Sequence, residues 1–258
     1  MSEQNLLVAE NFIAGLVQRR QTTMKGGIYH LTQISMAYES NRIEGSTLTS
    51  EQTRYLYETA SIVGDANLQD VIETTNHFRA FDLAIDSAGS PLTVERIKQY
   101  HQVLKSGTQD SRRTWFAVRD WKQVPNSVGG IDTAAPEDVD AQIKELLADY
   151  PAKMTLEDIA AFHYRFEMIH PFQDGNGRVG RLIMFEQALS NGVMPFVVSA
   201  DDRAFYYRGL SNFRDEPGFL IGTLLHSQDQ YCASFADFVS AQMRRDPTPL
   251  EAPGSGRQ

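Results

Sequence analysis

His170-Pro171-Phe172-Gln173-Asp174-Gly175-Asn176-Gly177-Arg178-Val179-Gly180-Arg181 lies between two stretches of helical apolar spacing, and its reading decides what surrounds it. Upstream, Thr155 and Asp158 make a capping-box-like start, and Ile159, Phe162, Phe166 and Ile169 then recur on one helical face. Pro171 disfavours helical geometry at the residue before it, so this helix must stop near His170. Gly175 and Gly177 around Asn176 suit positive φ and let the backbone approach a ligand. A helix opening at Arg178 and running to Leu189 turns its free N–H groups and positive dipole end toward the loop, which makes an anion site. Arg178 and Arg181, three apart, add two forked donors on one face. Asp174, among these cations, is expected to be ionised and able to hold Mg²⁺. Taken singly, these residues also suit a tight helix–loop–helix corner. Together they describe a phosphoryl or nucleotidyl transfer site.

Working outward, residues 5–20 read as an amphipathic helix through Leu6, Phe12, Ile13 and Leu16, and residues 29–43 as a second helix ending at Gly45. Thr49 to Gln52 carries a capping signature for a third. Helical patterns follow over 67–87 and 93–104, with the break at Gly89 to Thr93 placing a boundary between an N-terminal region and the main domain. Residues 106–136 change character, and Val124 to Gly130 has the turn chemistry of a hairpin or flap. Helices resume over 137–150, 156–169 and 178–189, then after Asp201 and Gly218. The expected fold class is mainly α with one small β-hairpin. The divisions are 1–90, 91–225, a helical segment 226–246, and a disordered tail 247–258 rich in Pro, Gly and polar residues.

The 258 residues carry a formal net charge of −9, which argues against sequence-independent nucleic-acid binding. Cys232 is the single cysteine, so no intrachain disulfide can form, and it is assigned no role. Glu3 and Glu10 interrupt the N-terminal apolar stretch, no secretory signal is read, and no apolar run reaches the ~20 residues that span a bilayer. The expected setting is a reducing cytoplasm without membrane attachment. His163 is read as a packing or hydrogen-bonding residue, and Trp115, Phe116 and Trp121 as core packing in preference to a binding surface.

The segment from His170 to Arg181 resembles the signature of the Fic family, His-x-Phe-x-Asp/Glu-Gly-Asn-Gly-Arg-x-x-Arg, at every defined position. The likeness extends over about residues 91–225 and implies a helical core with a β-hairpin beside the active-site loop. It implies transfer of AMP from ATP to a Ser, Thr or Tyr hydroxyl of a target protein, the chain itself among the targets. His170 would be the general base, its near-neutral pKa suited to the role. Phe172 would anchor the loop and Asp174 would ligate Mg²⁺. Gly175, Asn176 and Gly177 would hold the α- and β-phosphates, and Arg178 and Arg181 would stabilise phosphate charge. Tyr206 and Tyr207 match an aromatic pair near the adenine. Val124, Pro125 and Asn126 belong to a flap that aligns the target backbone as an added strand.

Ser40-Asn41-Arg42-Ile43-Glu44-Gly45 is similar to the family's inhibitory motif, which implies a Glu44–Arg181 ion pair in the γ-phosphate position. The resemblance also suggests a homodimer. A Fic enzyme with another phosphate-containing donor, AMP removal at the same site, and a nucleotide-binding regulatory protein without catalysis stay open as alternatives.

Overall fold

The structure, a computed structural model, describes residues 3–20, 25–128 and 131–245. Ten α-helices and one two-stranded hairpin make up the regular elements of the described residues, apart from three short 3₁₀ turns. The mainly helical reading therefore holds.

Helix α8 (Asn176–Asn191) is the axis of the molecule. It is buried on every side, from Val179 through Leu189, as a helix enclosed by other helices must be. α7 (Leu156–Ile169), α4 (Leu68–Ser87), α5 (Val94–Lys105) and α2 (Ile28–Ile43) all pack on it. The Phe81 and Phe185 rings meet at 5.3 Å where α4 crosses α8. One hydrophobic cluster runs from Phe12 and Leu16 on α1 (Glu3–Arg20) through Ile97, Tyr100, Ile143 and Phe166 to Tyr231. The residues on both sides of the break at Gly89 thus share one core. A smaller cluster of Ala37, Leu48, Leu56 and Phe78 seats α3 (Ser50–Thr59).

Local signals set the helix ends. Thr49 with Gln52 and Thr155 with Asp158 form full capping boxes. Gly45 and Gly192 follow α2 and α8 in left-handed conformations that favour glycine. α6 (Val139–Ala148) is preceded by a 3₁₀ turn, and α9 (Arg203–Ser211) follows another at Ala200–Asp202. α10 (Gly218–Arg245) is continuous across the division expected at 225/226, because no helix-breaking residue stands there. The side chain of Leu6 and the tail from 247 lie outside the described residues.

Over 106–136 the chain is turns, a 3₁₀ segment at Asp110–Arg112, and the hairpin of β1 (Ser127–Val128) and β2 (Ile131–Asp132). The strands pair antiparallel, Ser127 with Asp132 and Val128 with Ile131. Phe116 and Trp121 are buried as expected, with Trp121 donating its indole N–H to Asp140 at 3.0 Å. Trp115 corrects the core expectation: it is 45% exposed, packed edgewise on Phe116 under the Arg113 guanidinium. Among the described residues no helix is long and apolar enough to cross a membrane.

Candidate active site

α7 ends at His170, which takes a left-handed conformation (φ 51°) and donates its backbone N–H to Phe166 at 2.9 Å. Phe172 then turns inward, fully buried, with its ring stacked on His101 at 4.0 Å and tilted against Trp121. Asn176 closes the loop, its side chain accepting from Phe172 N and donating to Phe172 O, both at 2.8 Å. That pair of bonds draws the helix start forward from the expected Arg178 to Asn176. Of the two signature glycines around Asn176, Gly175 has positive φ, at 84°. Gly177 lies in the first helical turn and corrects the expectation of positive φ. Its lack of a side chain matters for another reason: a Cβ there would collide with Glu44 Oε1.

The first-turn N–H groups of α8 have no intrahelical acceptor. Beside them lies Arg181, 3% exposed. Arg181 Nε donates to Ser40 Oγ at 2.9 Å, and Nη2 to Ser40 O at 3.0 Å and Glu44 Oε1 at 2.6 Å. Ser40 and Glu44 are one helical turn apart on α2, so the Ser-x-x-x-Glu spacing puts both on the same guanidinium. Arg181 Nη1 is buried without a hydrogen-bond partner. Burial works against the charge of Arg181, but the Glu44 carboxylate outweighs it and raises the pKa further. A carboxylate therefore already stands where the helix N-terminus and Arg181 would receive an anion.

Arg178 is placed differently. It is 3% exposed, and its Nη1 and Nη2 donate to Glu73 Oε2 and Asp174 Oδ2, the latter at 3.2 Å. Its Nε is buried and unpaired. Lys105, with no exposed surface, reaches Glu73 Oε1 at 3.0 Å, Asp110 Oδ2 at 3.0 Å and Asp174 Oδ2 at 2.6 Å. Glu73, Asp110 and Asp174 are close enough together to resemble a cation site, but the Lys105 ammonium already bonds all three. Burial opposes ionisation of Asp174, yet Arg178 and Lys105 overcome it and hold its pKa at about 2.

His170 is 19% exposed at its side chain. Burial, with Lys122 nearby, lowers its pKa to about 4, so the near-neutral value expected from sequence is corrected and the ring is neutral at pH 7. Nδ1 lies 3.8 Å from Glu167 Oε2. Glu167 is itself buried, with its pKa raised by burial to about 8. His163 is fully buried and shares a 2.6 Å hydrogen bond with the Tyr206 hydroxyl, in keeping with a packing role. Tyr206 and Tyr207 have rings 5.5 Å apart but differ in exposure: Tyr206 is enclosed behind Arg181, while Tyr207 is 36% exposed.

The flap is sewn to the signature loop. Lys122 N donates to Pro171 O at 2.8 Å, Asn126 Nδ2 to Phe172 O at 3.0 Å, and Val124 N to Gln173 Oε1 at 3.3 Å. Lys122 Nζ holds the hairpin base through Asn126 Oδ1 and Thr133 Oγ1, both at 2.7 Å. Val124 and Pro125 are exposed beside His170's loop.

Sequence reading passed over Glu73, Lys105 and Glu167. Lys105 did leave a signal. Ile97, Tyr100, His101, Leu104 and Lys105 follow the i, i+3, i+4, i+7, i+8 pattern of a buried face, and a lysine there needs buried anions.

Residues 91–188 match the model of the Fic/DOC family. A protein adenylyltransferase Fic of Nematostella vectensis is 30% identical over 189 residues, which is 67% of this chain and 42% of that protein. The protein adenylyltransferase fic-1 of Caenorhabditis briggsae is 25% identical over 223 residues, 81% of this chain and again 42% of the relative. The chain thus spans less than half the length of these curated relatives. Among solved structures, a Fic domain containing signaling protein from Bacteroides thetaiotaomicron superposes with a TM-score of 0.67 at 25% identity, covering 94% of this chain and all of that one. This chain therefore carries a Fic/DOC family domain, at residues 91–188.

Proposed function

We propose that the protein is an adenylyltransferase that moves AMP from ATP to a Ser, Thr or Tyr hydroxyl of a target protein and is held at rest by Glu44. The observation that carries this reading is the Glu44 carboxylate on Arg181, set against the first turn of α8 with Arg181 Nη1 left buried and unpaired. A phosphate chain running from the first turn to Arg181 would satisfy both the turn and the remaining donor.

In this reading the α- and β-phosphates lie on the N–H groups of Gly175, Asn176 and Gly177, and the γ-phosphate takes the place of the Glu44 carboxylate at Arg181. His170, neutral at pH 7, accepts the proton of the target hydroxyl through Nε2. The hydroxyl oxygen forms its bond to the α-phosphorus as the bond to the β-phosphate oxygen breaks, and pyrophosphate leaves with its charge against Arg181. Val124, Pro125 and Asn126 present the exposed edge along which the target backbone would lie. Tyr207, the exposed member of the aromatic pair, offers its ring to the adenine.

The residues fit a magnesium ion at Asp174. Both neighbouring cations bond Oδ2, and the side chain is 49% exposed, so Oδ1 is available as a ligand. Magnesium held there would neutralise phosphate charge. The setting would be a reducing cytoplasm, and the target could be the chain itself or a homodimer partner.

The test is transfer of label from α-labelled ATP with Mg²⁺, comparing wild type, Glu44→Gly, and Glu44→Gly with His170→Ala. Strong labelling of protein by the first variant alone is the expected result. The His170 substitution should then reduce it by ~10²–10⁴-fold, the usual weight of a general base. Nucleotide binding without labelling in any form would overturn the AMP-transfer reading.

A further inference from the structure

The N-terminal helices give a carboxylate to each signature arginine, and the second of these pairs points to a role that the signature alone does not carry. Glu73, on α4 and outside the family-matching segment, accepts from Arg178 Nη1 through Oε2, and from Lys105 Nζ and Gln69 Nε2 through Oε1 at 3.0 and 2.8 Å. Lys105 and Arg178 then meet again on the single atom Asp174 Oδ2. Glu73, Lys105, Asp174 and Arg178 thus close a ring in which charges alternate in sign. Asp110 adds a third acceptor to the buried ammonium.

We propose that Glu73 and Lys105 are positioning residues of the nucleotide site, and that Arg178 belongs with them: it acts through Asp174 and is not itself a phosphate ligand. This rests on the reading of Asp174 as the metal carboxylate.

Three observations support the assignment. Arg178 donates to two carboxylates, one from each terminal nitrogen, so its charge is already matched twice, whereas Arg181 has one carboxylate partner and an Nη1 with no bond. Lys105 has no exposed surface and cannot reach solvent or substrate, so its ammonium can act only through the carboxylates around it. The ring fixes one oxygen of Asp174 with two donors and thereby sets where the other oxygen points. Outer groups of this kind orient a metal carboxylate, and their removal typically costs ~10–100-fold in metal affinity. The consequence is that the nucleotide site is built by α4 and α5 as well as by the α7–α8 loop, so the N-terminal region is part of the working site and not only its brake.

The test uses the full chain with Glu44→Gly, which frees Arg181, and adds Glu73→Gln, Lys105→Met, or both together. The double substitution removes one charge of each sign and keeps the fold assessable where a single one leaves a buried charge alone. Mn²⁺ binding in the presence of a non-hydrolysable ATP analogue is read by electron paramagnetic resonance, and analogue binding without metal by fluorescence anisotropy. AMP transfer is followed as a function of Mg²⁺ concentration. The expected result is an Mn²⁺ affinity reduced by ~10-fold or more in the folded variants, with metal-free analogue binding changed less than about threefold. Transfer should recover in part at high Mg²⁺. Unchanged Mn²⁺ affinity in the double variant would overturn the proposal. So would an Arg178→Gln variant whose metal-free analogue binding falls as far as that of Arg181→Gln, since Arg178 would then be a phosphate ligand. Increased transfer by Glu73→Gln alone, with Glu44 intact, would make Glu73 a second brake. If Glu44→Gly transfers no AMP, the adenylyltransferase reading fails, while the two binding measurements still decide the positioning role.

Discussion

Glu44 stands at the C-terminal end of α2 and Glu73 in the second turn of α4, yet each carboxylate pairs with an arginine of α8. Their surroundings differ. Glu44 is 30% exposed at its side chain, its hydrogen bond runs to Arg181, and the chain leaves the helix at Gly45 immediately after it. Glu73 is locked by Gln69, Lys105 and Arg178 within a helix packed on α8. An incoming phosphate that displaces Glu44 breaks one ion pair at a frayable helix end and supplies a replacement anion. Displacing Glu73 would strip a partner from an ammonium that cannot reach water. In the proposed reading the same pairing chemistry is a removable stop in one place and fixed framework in the other, and connectivity decides which.

The largest expected effect separates the two in stability. Lys105→Met leaves Glu73, Asp110 and Asp174 facing one another without their shared cation. It should lower the unfolding free energy by on the order of 3 kcal/mol, the lower end for breaking a buried pair, because the carboxylates keep some exposure. Glu44→Gly takes the carboxylate from Arg181, but Ser40 still accepts two of its donors, so the loss should be smaller, about 1.5 kcal/mol, the lower end for one hydrogen bond between charged groups. Urea unfolding of both variants checks this, and equal losses would remove the distinction between stop and framework. The next effect is in binding. Freed of its internal competitor, Glu44→Gly should bind a non-hydrolysable ATP analogue ~5–150-fold tighter than wild type, the range of an ordinary coupling between sites. Isothermal titration reads it directly. An affinity unchanged by Glu44→Gly would mean that Glu44 does not occupy a phosphate position.

What could be read beforehand divides along the same line. The caps at Thr49 and Thr155 and the glycine at 45 are local, each fixed by a residue and its neighbours within one turn, and the structure has them as read. The signature loop and Glu44 were readable because a fixed spacing carries their chemistry. Glu73 was not, and Lys105 showed only as a lysine on a buried face, since their partners lie 105 and 69 residues away and no spacing encodes the ring. The low pKa of His170 was likewise hidden, because its burial and the nearness of Lys122 exist only after folding. Trp115 was misread as core for a related reason: in a segment of turns, aromatic character alone does not tell which side of the backbone faces inward.

The smallest predicted effect tests whether the removable stop is felt beyond Arg181. Glu167 on α7 faces His163 and His170 of its own helix, Arg181 of α8, Tyr206 of α9 and Glu44 of α2. Burial raises its pKa from 4.5 to about 8, with Arg181 pulling it down and Glu44 pushing it up. A carboxyl that is neutral when folded and ionised when unfolded makes folding take up a proton, so its contribution to stability declines as pH rises toward about 8. The buried histidines 77, 101, 163 and 170, all lowered to about 3 or 4, act in the opposite sense but only below their unfolded value of 6.5. Lys122, lowered by burial to about 8, opposes the decline as it deprotonates near that pH. Between pH 6.5 and about 7.5 the decline therefore belongs to Glu167 and amounts to at most ~1.4 kcal/mol, at about 1.36 kcal/mol per pH unit for one proton. Urea unfolding across this window should show the slope in wild type and lose it in Glu167→Gln. In Glu44→Gly the repelling charge is gone and Arg181 acts on Glu167 alone, so the slope should shrink. A slope that persists in Glu167→Gln would show that another group takes up the proton. One that is identical with and without Glu44 would confine the effect of the stop to Arg181 itself.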